Sequence, residues 1–307
     1  MRIRILGSAA GGRFPQWNCG CGNCVAVREN VRFKKLSRKA RTQAQLALSA
    51  DGSSWFLAGA SPDLASQIES SPELHPRALR DSPIAGVVLA SADLDHVLGL
   101  LVLRELQPLR VYAAPSVLRI LREENSMFGM LNRVEPQVIW TPMNSGAPFP
   151  LLTPEGNQSG LRCEVQYLSG RYPKYVKSQN LAGPEAMAAL FFEASGKRVA
   201  YVPAVGSLSA ALLEKIRDAD LLLFDGTFWS DDELIRVQGS GETAHQMGHI
   251  PVEESLRLLS NIKIEVGCKM FVHLNNTNPI LNEASPEYQA VRQAGWEVAE
   301  DNWQLEL

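Results

Sequence analysis

The stretch Gly86-Val-Val-Leu-Ala-Ser91-Ala-Asp93-Leu-Asp95-His96-Val-Leu-Gly99-Leu-Leu-Val-Leu103 decides how this 307-residue chain is read. Val87–Ala90 is a short apolar run suited to a buried strand, and Val97–Leu106 carries an apolar helix pattern. Ser91, Asp93, Asp95 and His96 are crowded into the junction between them. Loops at the carboxyl ends of strands are where α/β sheets place ligands. Two carboxylates and an imidazole at alternate and adjacent positions can converge on one cation. The same spacing also fits a plain helix start, with Asp93 or Asp95 accepting backbone N–H bonds.

Working outward, a strand at Ile3–Leu6 runs into the glycine loop Gly7–Gly12, which lacks both a Walker Lys-Ser/Thr and a dinucleotide fingerprint. A tight turn bringing backbone near a site is the simpler reading. Cys19-Gly-Cys21-Gly-Asn-Cys24 follows, three thiols within six residues, with glycines relieving the backbone. That spacing reads as a closed structural Zn²⁺ clamp needing a fourth ligand from elsewhere. The basic run Arg28–Arg41, with Lys34, Lys35, Arg38 and Lys39, reads as a solvated helix face and loop.

Further strands are expected at Gln45–Ser49, Trp55–Leu57, Arg110–Ala113, Gln137–Thr141, Cys163–Leu168, Ala189–Ala194, Arg198–Val202, Asp220–Phe224, Lys269–His273 and Trp303–Leu307. Helices are expected up to Glu69 with Ser61 or Asp63 as cap, and at Ser116–Glu124, Leu208–Asp218, Val252–Leu259 and Ser285–Ala294. Pro142–Gly160 reads as loop, and Ser195-Gly196-Lys197 as a hairpin turn. Strand-rich halves with helices in each imply an α+β fold, an αββα sandwich, over one domain spanning 1–307.

The formal net charge of −3 gives no electrostatic footprint for nucleic acid or an anionic membrane surface. No apolar run approaches the roughly 20 residues of a membrane helix. The amino terminus passes directly into a strand without a signal peptide's apolar region, so a cytoplasmic protein is expected. Five cysteines, three of them clustered, suit a metal site in a reducing compartment better than a disulfide framework.

Among the five histidines, His75 lies in a surface-type Pro-Glu-Leu-His-Pro loop, whereas His273 ends a buried-type strand. Asp225 ends Leu-Leu-Leu-Phe-Asp in the same manner, and His245 and His249 share a glycine-rich loop after it.

The Ser91-x-Asp93-x-Asp95-His96 frame resembles the His-x-His-x-Asp-His junction of the metallo-β-lactamase superfamily, with two of its four ligand positions changed. Together with the Cys-rich amino terminus, it is similar to the pyrroloquinoline quinone (PQQ) biosynthesis protein B family along the whole chain. The resemblance implies a metallo-β-lactamase-like fold and a metal ligand at His273. It favours His249 over His245 as a residue acting on substrate or metal. It also implies a structural zinc at Cys19, Cys21 and Cys24. A related branch completes that zinc site with a His at the position held here by Asn276. The superfamily's third His falls near Tyr167–Tyr172 and its bridging Asp after Val202, and neither is present. That loss argues against two-metal hydrolysis. His96, His273 and either Asp93 or Asp95 form the two-imidazole, one-carboxylate set of a mononuclear Fe²⁺ centre, which would also accept Mn²⁺, Mg²⁺ or Zn²⁺.

The implied function is a step of PQQ biosynthesis, an iron-dependent hydroxylation of tyrosine in a peptide-derived precursor, alongside other proteins of that synthesis. His249 and Asp225 are the catalytic candidates, and Arg171, Lys174 and Tyr175 the substrate-holding ones. A divergent hydrolase and a non-catalytic carrier for transport of PQQ or its precursor stand as alternatives. The cysteine knuckle suggests a homodimer contact by analogy.

Overall fold

Short runs of β-branched and aliphatic residues separated by turn residues produce many short strands in the computed structural model, which describes residues 1–33, 38–134, 137–176, 182–260 and 267–307. In chain order these are β1 (Arg2–Gly7), β2 (Gln45–Ser49), β3 (Trp55–Ala58), β4 (Ile84–Val88), β5 (Leu109–Ala113), β6 (Val138–Pro142) and β7 (Phe149–Leu152). They continue as β8 (Gln158–Arg171), β9 (Ala182–Ala194), β10 (Lys197–Val202), β11 (Leu221–Asp225), β12 (Cys268–Val272), β13 (Glu297–Val298) and β14 (Gln304–Glu306). The chain divides into two compact units, residues 1–6, 45–198 and 302–307 in the first, and 7–44 and 199–301 in the second.

In the first unit, a mixed sheet runs β14-β1-β2-β3-β4-β5-β6. Strands β3 to β6 are parallel neighbours, and β2 pairs antiparallel with β3. Parallel strands need both faces covered, and the uniformly buried β4 meets that demand. Val87, Leu89, Val97 and Leu100 join Leu57, Val111 and Val117 in one apolar cluster. β7, β8 and β9 form an antiparallel meander, and the hairpin turn at Ser195 and Gly196 takes positive φ at both residues, 52° and 77°.

The second unit carries β10 to β13 as parallel neighbours. Phe271 stacks on Trp296 with centroids 4.5 Å apart, and Phe224 meets Trp296 edge-on at 6.2 Å. These buried rings pin the two strands whose carboxyl ends carry Asp225 and His273.

Several expectations need correction. The apolar pattern at Val97–Leu106 makes only a short helix, Leu94–Val97, and one 3₁₀ turn, Leu98–Leu101. Tertiary backbone bonds divert it: Ala60 N–H donates to His96 O at 2.7 Å, and Gly99 N–H donates to Ala60 O at 2.8 Å. A Cβ at Gly99 would stand 2.2 Å from Ser61 O, so this close approach requires glycine. Neither Asp93 nor Asp63 caps its helix with the side chain, and Ser61 Oγ turns to Gln67 instead. Pro142–Gly160 is not all loop: it contains β7 and the first residues of β8. Phe149 stacks on Tyr112 at 5.9 Å, and Pro150 is tolerated because β7 is an edge strand. β8 and β9 are roughly twice the expected length, because their mutual pairing extends past the apolar centres. Lys34 and Lys35 lie outside the described residues. Among the described residues no helix is long and apolar enough to cross a membrane.

Trp296→Ala should lower the unfolding free energy by about 3–5 kcal/mol, the usual loss for a buried tryptophan. Urea denaturation read on the remaining tryptophans checks this, and a change below about 1 kcal/mol would show that the stack does not hold β11 and β12.

Candidate metal centre

Strand β11 ends at Asp225, a carboxylate with no exposure. Asp225-Gly-Thr227 turns back on itself, with Thr227 N–H donating to Asp225 Oδ1 at 3.0 Å. Gly226 is required there, since a Cβ would lie 2.8 Å from Phe271 Cβ and 3.0 Å from Val272 O. Val205 N–H donates to Asp225 Oδ2 at 3.0 Å, and His249 Nδ1 lies 2.9 Å from the same oxygen. Burial by itself would raise the Asp225 pKa, but the His249 and His273 imidazoles and the Val205 N–H hold it below the usual carboxylate range.

His273 follows β12 in the left-handed region, φ 61°, an uncommon place for a non-glycine residue. Neighbouring backbone bonds fix it: Gly226 N–H donates to Val272 O at 2.8 Å, Leu274 N–H to Ser8 O at 2.9 Å, and Ala10 N–H to Leu274 O at 2.9 Å. The Gly7–Gly12 loop thus brings its backbone against the strand end that carries the histidine, as its sequence suggests.

Asp225, His249 and His273 offer ligand atoms within 4.8 Å of one another. Their centre is filled by the Thr227 hydroxyl, with Oγ1 2.7 Å from Asp225 Oδ1, 2.8 Å from His273 Nδ1 and 3.1 Å from His249 Nδ1. The cluster is therefore a hydrogen-bonded network on the Nδ1 sides of both rings. Those rings lie nearly parallel, 5.5 Å apart at 22°, with Phe228 edge-on to His249 at 5.8 Å. His245 instead faces outward and pairs with Glu254 at 3.0 Å. His75 sits on the surface with Nε2 3.1 Å from Glu69 O.

In the first unit, the Ser91–His96 loop repeats the arrangement. Ser91 Oγ donates to Asp93 Oδ2 at 2.7 Å and lies 3.0 Å from His96 Nδ1. The Asp93 side chain is thus engaged with Ser91, while Asp95 and His96 bring a carboxylate oxygen and a ring nitrogen within 4.8 Å of each other. Tyr175 O–H donates to Ala92 O, which ties its ring to this loop. Burial, reinforced by Asp93, raises the Tyr175 phenol pKa. Arg171 and Lys174 are exposed nearby in sequence. The stretch that lacks the superfamily's third His is filled otherwise: Tyr167 O–H donates to Met143 O, and Tyr172 packs against Gly183.

The cysteine cluster lies wholly in the second unit. Cys19, Cys21 and Cys24 bring their sulfurs within 4.8 Å of one another. The Asn276 carboxamide lies over all three, its Nδ2 at 3.1, 3.7 and 3.4 Å from the sulfurs in turn. Burial pushes the Cys24 thiol up to about 11. Burial also works against the Cys21 thiolate, but the Cys24 N–H and neighbouring side chains bring that pKa down overall. Three sulfurs held this closely suit a soft cation, and the Asn276 NH₂ donates hydrogen bonds to them rather than completing the donor set.

Sequence reading missed Thr227 and Glu233. Glu233 is buried, accepting from Trp229 N–H at 2.6 Å and from the Thr277 hydroxyl, and Asn275 Nδ2 donates to Thr277 Oγ1 at 2.6 Å. This carboxyl braces the loop between His273 and Asn278. The Asp-Gly-Thr turn after β11 is the one sequence signal that could have found Thr227.

The β-lactamase superfamily domain model matches residues 54–274. The chain is 40% identical over 316 residues to the coenzyme PQQ synthesis protein B of Rhodopseudomonas palustris (strain TIE-1), covering all of both. It is 39% identical over 313 residues to the protein of the same name from Methylobacterium radiotolerans, again over the whole of both. The crystal structure of Zn²⁺-bound PqqB from Methylobacterium extorquens superposes with a TM-score of 0.89 at 38% identity, covering both chains fully. A diphosphatase of the PhnP family, at 18% identity and a TM-score of 0.69 over 100% of this chain and 98% of its own, shares the fold.

Burial raises the Glu233 carboxyl to about 7 from its ordinary 4.5. The folded protein therefore binds a proton that the unfolded chain has lost between those values, and stability falls as pH rises through that window. Glu233→Gln should abolish this fall, gaining up to roughly 3 kcal/mol on wild type between pH 5 and pH 7.5. Parallel pH profiles of the two proteins would refute the assignment.

Proposed function

The chain belongs to the coenzyme PQQ synthesis protein B family, within the β-lactamase superfamily, and from that membership we propose that it serves PQQ synthesis as a metal-dependent oxygenase hydroxylating a tyrosine ring of a peptide-derived precursor. Its fold class is the metallo-β-lactamase fold, with two mixed sheets and helices. We read residues 1–307 as one such domain, since each compact unit is discontinuous in sequence and the family model spans both.

The observation that carries the proposal is the donor set. With no ligand at the third-His and bridging-Asp positions, two imidazoles and a carboxylate remain, too few for a pair of hydrolytic metals. We assign His96, His273 and Asp95 as the ligands, with Asp93 held by Ser91 as the carboxylate that orients the loop. Fe²⁺ held by these groups would supply open positions for O₂, while an external two-electron donor would reduce the second oxygen atom to water; Mn²⁺, Mg²⁺ or Zn²⁺ could occupy the same donors.

The remaining roles fall to the chain's own residues. Asp225 holds His249 through Nδ1, which turns Nε2 outward as a base for the phenolic proton of a bound tyrosine. Burial of Asp225 keeps that orientation rigid. Tyr175, bonded to the Ala92 carbonyl, stands beside the Ser91–His96 loop, and with Arg171 and Lys174 it would hold the precursor. Cys19, Cys21 and Cys24 would hold a structural Zn²⁺, with Asn276 the candidate fourth ligand once its carboxamide oxygen is turned to the ion.

The test is anaerobic loading with Fe²⁺, then O₂, a tyrosine-containing peptide and ascorbate as the two-electron donor. A product heavier by one oxygen atom is expected, falling roughly 10²–10⁴-fold in His249→Ala. Peptide cleavage would establish a hydrolase, and tight PQQ binding without turnover a carrier; either result overturns the proposal. In a separate experiment, Cys21→Ser should remove one zinc per chain and lower the melting temperature while the second metal stays. Loss of both metals would refute the division into two sites.

A further inference from the structure

Two hydroxyl groups in the two units make the same pattern of contacts. Each is buried, each is within 2.7 Å of a carboxylate oxygen, and each is also within hydrogen-bond distance of an imidazole Nδ1. Ser91 stands between Asp93 Oδ2 at 2.7 Å and His96 Nδ1 at 3.0 Å. Thr227 stands between Asp225 Oδ1 at 2.7 Å and His273 Nδ1 at 2.8 Å.

A hydroxyl owns one hydrogen and two acceptor lone pairs. Two oxygens 2.7 Å apart need a hydrogen between them, and an ionised carboxylate has none to give. The hydroxyl hydrogen is therefore committed to the carboxylate in both places. Were it turned to the imidazole, an oxygen lone pair would face a carboxylate lone pair at 2.7 Å in a buried setting. The short contact to each imidazole must then be filled from the other side, with Nδ1–H donating to the hydroxyl oxygen.

The remaining contacts agree. Asp93 N–H donates to Ser91 Oγ at 3.1 Å, so Ser91 gives one hydrogen and accepts two. At Thr227 the His249 Nδ1–H, directed mainly at Asp225 Oδ2 at 2.9 Å, supplies the second accepted contact at 3.1 Å. Both valences are complete in one arrangement, and the alternative leaves each with a lone-pair clash.

We propose that Ser91 and Thr227 are positioning residues that set the Nδ1–H tautomer of His96 and His273, directing the Nε2 lone pair of each ring to the metal. The two hydroxyls act through the histidines and touch neither metal nor substrate. The inference rests on reading His96 and His273 as ligands, but the tautomer is measurable without metal, oxygen or peptide.

The experiment uses the full-length chain labelled with ¹⁵N at histidine, stripped of active-site metal, at a pH of about 8, above the ordinary imidazole pKa of about 6.5. Long-range ¹H–¹⁵N correlations read which ring nitrogen carries hydrogen, and His96→Gln and His273→Gln assign the signals. Wild type should show hydrogen on Nδ1 and a pyridine-type Nε2 at both residues. Thr227→Val should change the pattern of His273 alone, and Ser91→Ala that of His96 alone. Thr227→Ser and Ser91→Thr should restore the wild-type pattern. Affinity for the active-site metal should fall about 10–100-fold in the Val and Ala variants and return in the hydroxyl-keeping ones.

Hydrogen on Nε2 of either histidine in wild type overturns the proposal, and needs no variant to fold. So does an unchanged tautomer in a Val or Ala variant whose amide spectrum is native. Correct tautomers in a protein that then fails to hydroxylate any tyrosine peptide would sink the oxygenase reading alone.

Discussion

A carboxylate shut away from water must collect all its hydrogen bonds from the protein, and Asp225 does so. It receives the backbone N–H of Thr227 and Val205, the Thr227 hydroxyl and a ring nitrogen of His249. An ionised side chain buried this completely would cost several kcal/mol without that set. Satisfying it dictates where β10 must end, why Gly226 follows the strand, and how the imidazoles of His249 and His273 face. The aromatic stack of Phe224, Phe271 and Trp296 is the apolar counterpart beneath it, holding the two strand ends level.

Much of this was legible from residue order. A polar residue closing an apolar strand marks both Asp225 and His273, because period-two burial leaves no other reason for its place. The crowd of Ser91, Asp93, Asp95 and His96 was legible for the same reason, and three thiols at such close spacing have few readings. The helix after His96 was not. Its apolar run is longer than the helix it makes, and only the tertiary capture of the His96 carbonyl by Ala60 explains why. No local propensity encodes that contact.

The hydroxyls escaped notice for a related reason. Ser and Thr at strand ends are common turn residues, and a turn reading explains them locally. Their second contact, to an imidazole, spans 46 residues at Thr227, and periodicity carries no signal at that range. Glu233 was equally hidden, since an acidic residue at a helix start reads as a dipole partner rather than as a buried brace. β7 and the outer halves of β8 and β9 depend on partner strands for their pairing, so Pro, Gly and Asn in that region read as loop.

Only Leu274 and Asn275 separate the imidazole of His273 from the carboxamide that covers the three sulfurs. The intervening backbone is pinned at Leu274 by Ser8 and at Asn275 by Thr227. So short and taut a tether makes the sulfur cluster and the histidine mechanically one object. Drift of either could not be absorbed by slack in the chain, and a descendant of this protein could discard the cysteines only by finding another anchor for the same four residues.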